Sequence, residues 1–354
     1  MSKKLLITGG AGFIGSNFVH YTVKNHLEDE VVVLDKLAYA GNKKNIEAPL
    51  KAGKIQFVEG DITDKACIFS LFEKENFGSV VNFAAETHVD RSIVSPSIFV
   101  MTNVVGTHNL LEACRDFSVP RFHQVSTDEI YGDLGTGSTN FFTEETPLAP
   151  NSPYAASKAA ADHLVAAYFR TYKMFVTTSR CSNNYGPYQF PEKLIPYFFQ
   201  LASKNKHVPL YGDGKNVRDW LYVEDHCEAV DLILRNAKPG SIYNIGGNNE
   251  RTNIEIAKII LKFLGKSEDF ITFVEDRMGH DRRYAIDSSK IKKDLGWKPK
   301  TSFKTGIKLT FEWYKKNKVW LDDLVARNRI DETRSHLSFG GKKPKQQKAK
   351  VGNF

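Results

Sequence analysis

Cysteine is scarce here and scattered. The four residues, Cys67, Cys114, Cys181 and Cys227, form no close pair, which excludes a disulfide framework and the paired spacing of a zinc site. No metal is expected, and the expected setting is reducing and cytoplasmic. Long apolar runs are missing too: none approaches the roughly 18 to 20 residues that span a membrane. Only three apolar residues stand between Met1-Ser2-Lys3-Lys4 and Thr8-Gly9, too few for the core of a secretion signal. No internal repeat is visible. Acidic residues stop at Glu332, after which Lys342, Lys343, Lys345, Lys348 and Lys350 supply five of the eight net positive charges. Residues 326–354 therefore read as a basic, flexible tail and the remainder as close to neutral, so no nucleic-acid partner is expected. What is left is an ordinary globular composition, 41% hydrophobic and 25% charged over 354 residues, long enough for a large core and two lobes.

What is present begins with glycine. Residues 5–8 (Leu-Leu-Ile-Thr) read as a buried strand, followed by Gly9-Gly-Ala-Gly12-Phe13-Ile14-Gly15 and a helical run through about Asn25. Gly9 permits the tight turn, Gly12 lets backbone amides approach a pyrophosphate, and Gly15 lets the helix pack close to the strand. A second strand, Val31-Val-Val-Leu-Asp35, ends in an acid twenty residues after Gly15. An acid at that position suits the adenosine ribose hydroxyls and repels a 2′-phosphate, favouring NAD over NADP.

The alternation continues. Ile55–Val58 is a strand leading to Gly60-Asp61-Ile62, where Asp61 suits either the adenine amine or the N-cap of a helix over 64–75. Ser79–Phe83 is another, and Ala84 and Ala85 beyond it let the backbone lie against a cofactor. Glu86, His88 and Asp90 follow as candidates for substrate contact, with a structural role equally open for His88. Helical stretches at about 97–117 and 154–172 flank the strand Arg121–Val125, which leads into Ser126-Thr127-Asp128-Glu129-Ile130-Tyr131-Gly132. The carboxyl edge of an open parallel sheet is where ligands bind. Tyr154 and Lys158, four residues apart, share one helix face. Two carboxyls, a hydroxyl and a phenol beside an ammonium concentrate proton-transfer groups there.

Repeated strand–helix units with short connections predict an α/β fold, a Rossmann-like doubly wound parallel sheet. After Arg180 the character changes: Cys181–Pro196 is rich in turns, amides and aromatics, as suits a loop gripping a polar ligand. Arg218, Arg277 and His280 are candidates for clamping a diphosphate, because guanidinium pairs with phosphate oxygens in a bidentate way. The expected division is an NAD-binding domain over 1–180 with a returning segment at about 217–246. A smaller, mostly C-terminal α/β lobe over 181–216 and 247–325 is expected to bind the substrate.

Together these residues resemble the extended short-chain dehydrogenase/reductase family, from the Thr8–Gly15 turn through Tyr154-x-x-x-Lys158. Within it, nearly the whole of residues 3–320 looks like a nucleotide-sugar 4,6-dehydratase. The matching stretches are Leu34–Asn42, Ala85–Ser92, Ser126–Gly132, Ser182–Pro196, Arg218–Val223 and Gly279–Ala285. Tyr-x-x-x-Lys marks nicotinamide chemistry in general. Thr127-Asp128-Glu129 is more specific, since related epimerases usually carry small or hydroxyl residues in place of the two acids. Met278 stands where proline is usual and Ala38 where threonine is common; neither touches the expected chemistry.

The resemblance implies oxidation of a hexose at C4, elimination of water across C5–C6, and return of the hydride to C6, as in deoxysugar biosynthesis. Tyr154 is then the base for the C4 hydroxyl, its pKa lowered by Lys158 and the positive nicotinamide ring, and Lys158 also holds the nicotinamide ribose. Thr127 bonds the C4 oxygen, Glu129 removes the C5 proton, and protonated Asp128 donates to the C6 hydroxyl. Asn183, Glu192, Lys193, Leu194, Arg218, Asn253, Arg277, His280 and Tyr284 are implied to contact the nucleotide. A homodimer is implied through the helices at about 97–117 and 154–172. The implied substrate is dTDP-glucose, with UDP-glucose as the alternative nucleotide and 4-epimerisation as the alternative outcome.

Overall fold

Short apolar runs, each ending in a turn, lay down β1 (Lys4–Thr8), β2 (Glu30–Asp35), β3 (Ile55–Glu59), β4 (Ser79–Asn82), β5 (Phe122–Thr127) and β6 (Val176–Cys181). Beyond them come β7 (Asn183–Tyr185), β8 (Val208–Tyr211), β9 (Val217–Tyr222), β10 (Ile242–Ile245), β11 (Glu250–Thr252) and β12 (Ile271–Val274). These belong to a computed structural model that describes residues 4–135 and 137–328. Seven strands form one sheet in the order β10-β6-β5-β4-β1-β2-β3, every neighbouring pair parallel. Both faces are covered, as an all-parallel sheet requires. Leu5, Ile7, Val31 and Val33 pack on one side with the helices Phe13–Asn25 and Val223–Asn236. Leu6, Val32, Leu34 and Val80 face the other side with Leu110, Leu111 and Val165. Alternation along each strand sends successive side chains to opposite layers.

A second core gathers Tyr185, Phe198, Phe199, Trp220, Phe311 and Tyr314. It is built on a three-stranded sheet, β11-β9-β7, and a parallel pair, β12-β8. The stretch 217–246 is thus shared between the sheets. Its strand β9 pairs with β7 and β11, and only the helix Val223–Asn236 and β10 return to the large sheet.

Four local expectations change. The helix read over 64–75 spans Lys65–Lys74, and its N-cap is Asp64, which accepts from Cys67 N at 3.0 Å. Asp61 instead accepts from Thr63 N at 2.9 Å in the turn before it, so it is not the cap. The helix expected over 97–117 is three pieces: Pro96–Phe99, a π-helical turn Val100–Gly106, and Thr107–Asp116. The strand before the acids runs on through Thr127, and Asp128–Tyr131 curls into a 3₁₀ turn. A helix Lys318–Asn328 continues past 326; the basic stretch at 342–350 lies outside the described residues. Among the described residues no helix is long and apolar enough to cross a membrane.

Candidate active site

Strand order reverses between β1 and β4, where an open α/β sheet leaves a crevice at its carboxyl edge. The glycine turn floors it. Gly9 holds φ at +68°, and a Cβ there would lie 2.6 Å from Ala84 N; on Gly15 a Cβ would lie 2.2 Å from Gly9 O. Around Gly12 only Gly9 O, at 3.2 Å, stands near, so this floor stays open. The helix Phe13–Asn25 starts with no capping side chain and no acid in its first turn. Its first amides and positive dipole end are thereby left for an anion. Asp35, at the end of β2, accepts from Ala11 N at 3.0 Å and Leu37 N at 2.8 Å. Burial pushes its carboxyl up while those two amides pull it down. Ile62, Ala84 and Ala85 complete an apolar wall, with Asp61 beside Lys36 at 3.6 Å. The cleft runs without a break from the glycine turn to the loop after β6 and, with its open mouth, encloses about 1520 Å³. These residues fit NAD: amides for the pyrophosphate, an acid for the ribose, apolar walls for the rings.

The same cleft holds Thr127, Asp128, Glu129, Tyr154 and Lys158. The two adjacent acids sit in unlike surroundings. Burial, then the charges of Glu129 and Asp219, hold the Asp128 carboxyl well above its ordinary range, and its Oδ2 is buried without a hydrogen-bond partner among the described residues. Glu129 is also raised by burial, but Arg277, Lys193 and Arg218 pull it back. Environments that separate two carboxyls in this way define an acid and a base. Tyr154 is pushed well above 10 by burial and then by Glu129, against a hydrogen bond from Thr127. Lys158 is not among the strongest influences on that phenol. Its Nζ donates to Val125 O at 2.7 Å, and burial lowers its own pKa.

Asn183, Glu192, Lys193 and Glu86 also line the cleft; Lys193 donates to Thr87 O at 2.9 Å. His88, Leu194, Arg218, Asn253, Arg277, His280 and Tyr284 do not. His88 caps the helix Val89–Val94, accepting from Arg91 N at 3.2 Å, and its other nitrogen lies 3.8 Å from Glu192. Leu194 opens the helix Leu194–Ser203, and Asn253 N is tied to Asn216 O at 3.0 Å. The remaining four form a basic cluster beside Glu129. Arg218 donates to Asp281 O at 2.9 Å and lies 4.3 Å from the Tyr284 ring centre, while the Tyr284 hydroxyl donates to Asp281. Arg277 pairs with Asp90 at 3.1 Å, leaving its Nε buried without a hydrogen-bond partner among the described residues. Burial, with Arg277 and Arg218 beside it, pushes His280 down to about 4. The cluster thus offers two guanidiniums and an imidazole whose Nδ1 lies 2.5 Å from Asp276 Oδ1.

Cys181 and Tyr39 were not foreseen as site residues. Cys181 lines the cleft near Asp128 and Lys158, its thiol pushed up to about 12 by burial; its position beside Thr127 comes from β5–β6 register, which no local pattern announces. Tyr39 donates to Glu192 at 3.1 Å beneath the Arg91 guanidinium. Its place in Leu34–Asn42 was the available signal.

The sheet, glycine turn and Tyr154–Lys158 helix define an extended short-chain dehydrogenase/reductase. A family model described as GDP-mannose 4,6 dehydratase matches residues 6–310. A dTDP-glucose 4,6-dehydratase of Xanthomonas campestris pv. campestris is 51% identical, covering 90% of this chain and 95% of its own. Among solved structures, the dTDP-glucose 4,6-dehydratase DesIV of Streptomyces venezuelae, with NAD bound, superposes with a TM-score of 0.87 at 47% identity, covering 91% and 99%. A UDP-glucose 4-epimerase of Thermotoga maritima reaches 0.82 at 30% identity, covering 89% and 99%. The chain belongs to the nucleotide-sugar 4,6-dehydratase family.

Proposed function

We propose that this chain is an NAD-dependent lyase converting dTDP-glucose to dTDP-4-keto-6-deoxyglucose and water. The observation that carries the reading is the unlike surroundings of Asp128 and Glu129: burial and two neighbouring acids hold the first carboxyl well above its ordinary range, while three cations draw the second back against its burial. NAD, when bound, supplies the acceptor for the C4 hydride, its return to C6, and a positive charge beside the phenol. Gly9, Gly12, Phe13, Ile14, Gly15, Asp35, Asp61, Ile62, Ala84 and Ala85 hold it, with Lys158 on its nicotinamide ribose. Tyr154 Oη takes the C4 hydroxyl proton, and Thr127 Oγ1 bonds the C4 oxygen. The phenol of the chain alone is too weak an acid for this at neutral pH, so its use depends on the cofactor's charge. Oxidation at C4 acidifies the C5 proton, which a Glu129 carboxylate oxygen removes. Asp128 gives its proton to the departing C6 hydroxyl, since hydroxide leaves poorly.

Arg218, Arg277, His280 and Tyr284 hold the diphosphate end, and Glu86, His88, Asn183, Glu192, Lys193, Leu194 and Asn253 the sugar and nucleoside. This divides the chain at about 180, with 1–180 and part of 217–246 serving NAD and 181–216 with 247–325 serving the sugar nucleotide. The separate aromatic core of the second part supports that division. The enzyme works as a homodimer in the cytoplasm. Exposed Val94, Ile98, Val100 and Met101 supply an apolar face for the dimer, and four free cysteines suit a reducing compartment.

Turnover of C4-deuterated dTDP-glucose, with UDP-glucose alongside, tests the reading by mass spectrometry. Loss of one water with deuterium at C6 is expected, faster for the thymidine nucleotide. An unchanged mass with inverted C4 identifies an epimerase instead, and faster dehydration of UDP-glucose reassigns the nucleotide.

A further inference from the structure

Four buried polar side chains behind the acids take no part in the chemistry above. Cys181 faces the cleft, so its strand neighbour Arg180 points the other way. Arg180 Nε donates to Asp162 Oδ2 at 3.0 Å, and its Nη1 donates to Tyr131 Oη at 2.8 Å. Tyr131 in turn donates to Asn244 Oδ1 at 2.8 Å. Arg180 thus bridges two elements that carry different halves of the reaction. Tyr131 closes the 3₁₀ turn that bears Asp128 and Glu129. Asp162 continues the buried stripe Tyr154, Lys158, Asp162 on the helix Pro153–Tyr172, one residue every four.

Stability alone does not explain such a pair, because a buried ion pair is often no better than a hydrophobic replacement. Its geometry points to alignment. Asp162 Oδ1 has no hydrogen-bond partner among the described residues, so Arg180 is what fixes that carboxylate. The Tyr131 ring is stacked on Phe142, centroids 5.1 Å apart, which leaves its hydroxyl aimed at Arg180. Asp162 is also the first influence that holds up the charge of Lys158 against burial.

We propose that Arg180 is a positioning residue: it sets the acid-bearing turn and the Tyr154–Lys158 helix at one separation, so that C4 oxidation and C5–C6 elimination address the same bound hexose. This rests on the residue roles assigned above. A misplacement of about 1 Å in such a pair of sites costs about 10²-fold in rate.

The test uses Tyr131→Phe, which removes one hydroxyl and keeps the ring, and Arg180→Lys, which keeps a charge beside Asp162 without the arm to Tyr131. Wild type and variants turn over dTDP-glucose in D₂O under single-turnover conditions, with sugar nucleotides quantified by mass spectrometry. In both variants dehydration is expected to fall by about 10²-fold while C4 oxidation persists. The 4-keto hexose that still carries its C6 hydroxyl then accumulates. A purely structural role slows both steps together and yields no such ketose; that result, or dehydration at the wild-type rate, overturns the proposal. If wild type itself forms no dehydrated product, the functional assignment falls and this inference with it.

Discussion

Replacing Asp128 by Asn removes a carboxyl whose folded-state pKa is raised well above 3.8 by burial and neighbouring acids. If Asp128 is the proton donor proposed for C6, its loss slows dehydration by about 10²–10⁴-fold while C4 oxidation continues, which quenched-flow mass spectrometry resolves. The same substitution makes a stability prediction of opposite sign. The folded state keeps this proton longer than the unfolded chain does. The corresponding stability is present below about pH 4 and is lost as pH rises through the folded-state pKa. Asp128→Asn is therefore expected to melt above wild type at neutral pH, by a margin that widens as pH rises. Scanning fluorimetry across about pH 4 to 9 reads it, and a margin that shrinks with pH contradicts the assignment. At Gly15, a Cβ would meet Gly9 O at 2.2 Å, so Gly15→Ala forces the turn open. NAD affinity by calorimetry is expected to weaken by about 1–3 kcal/mol; unchanged affinity means the turn does not hold the cofactor.

Among the elements, the π-helical turn Val100–Gly106 earned no mention from the sequence because an i→i+5 bulge has no residue signature. Inside it, Asn103 accepts from Glu86 N at 2.8 Å and donates to Glu86 O at 3.0 Å and Ser157 Oγ at 2.8 Å. It ties the loop after β4 to the Tyr154 helix. Asn103→Ala leaves the buried Glu86 N and O without these partners and is expected to destabilise by about 1–3 kcal/mol, measured by urea unfolding. The glycine turn and the Thr127–Glu129 strand end were legible because each is a local pattern. Arg218, Arg277 and His280 were legible as residue types, but their meeting beside Glu129 depends on bringing β9 and the distant 276–281 loop together. Asp61 is not the cap because capping is decided by where the helix starts, and the residue directly before that start is Asp64, three positions later.

For the whole molecule, the proposed dimer is assigned to the exposed apolar residues Val94, Ile98, Val100 and Met101. Met101 is 49% exposed, so Met101→Glu is expected to shift the protein to monomers in analytical ultracentrifugation without unfolding it; an unchanged mass places any dimer contact elsewhere. The sequence by itself determined the parallel sheet, the dinucleotide turn, and the identity of both acids, the phenol and the lysine. Those follow from spacing along a few residues, where propensity, periodicity and sterics act. Only the tertiary structure decided what each group is beside. Burial and neighbours from β9, Lys193 and the 276–281 loop separate Asp128 from Glu129. Lys158 meets Val125 O rather than the phenol, and Arg180 joins the two halves of the site. Charge and dielectric depend on distance through space, which the order of residues does not contain.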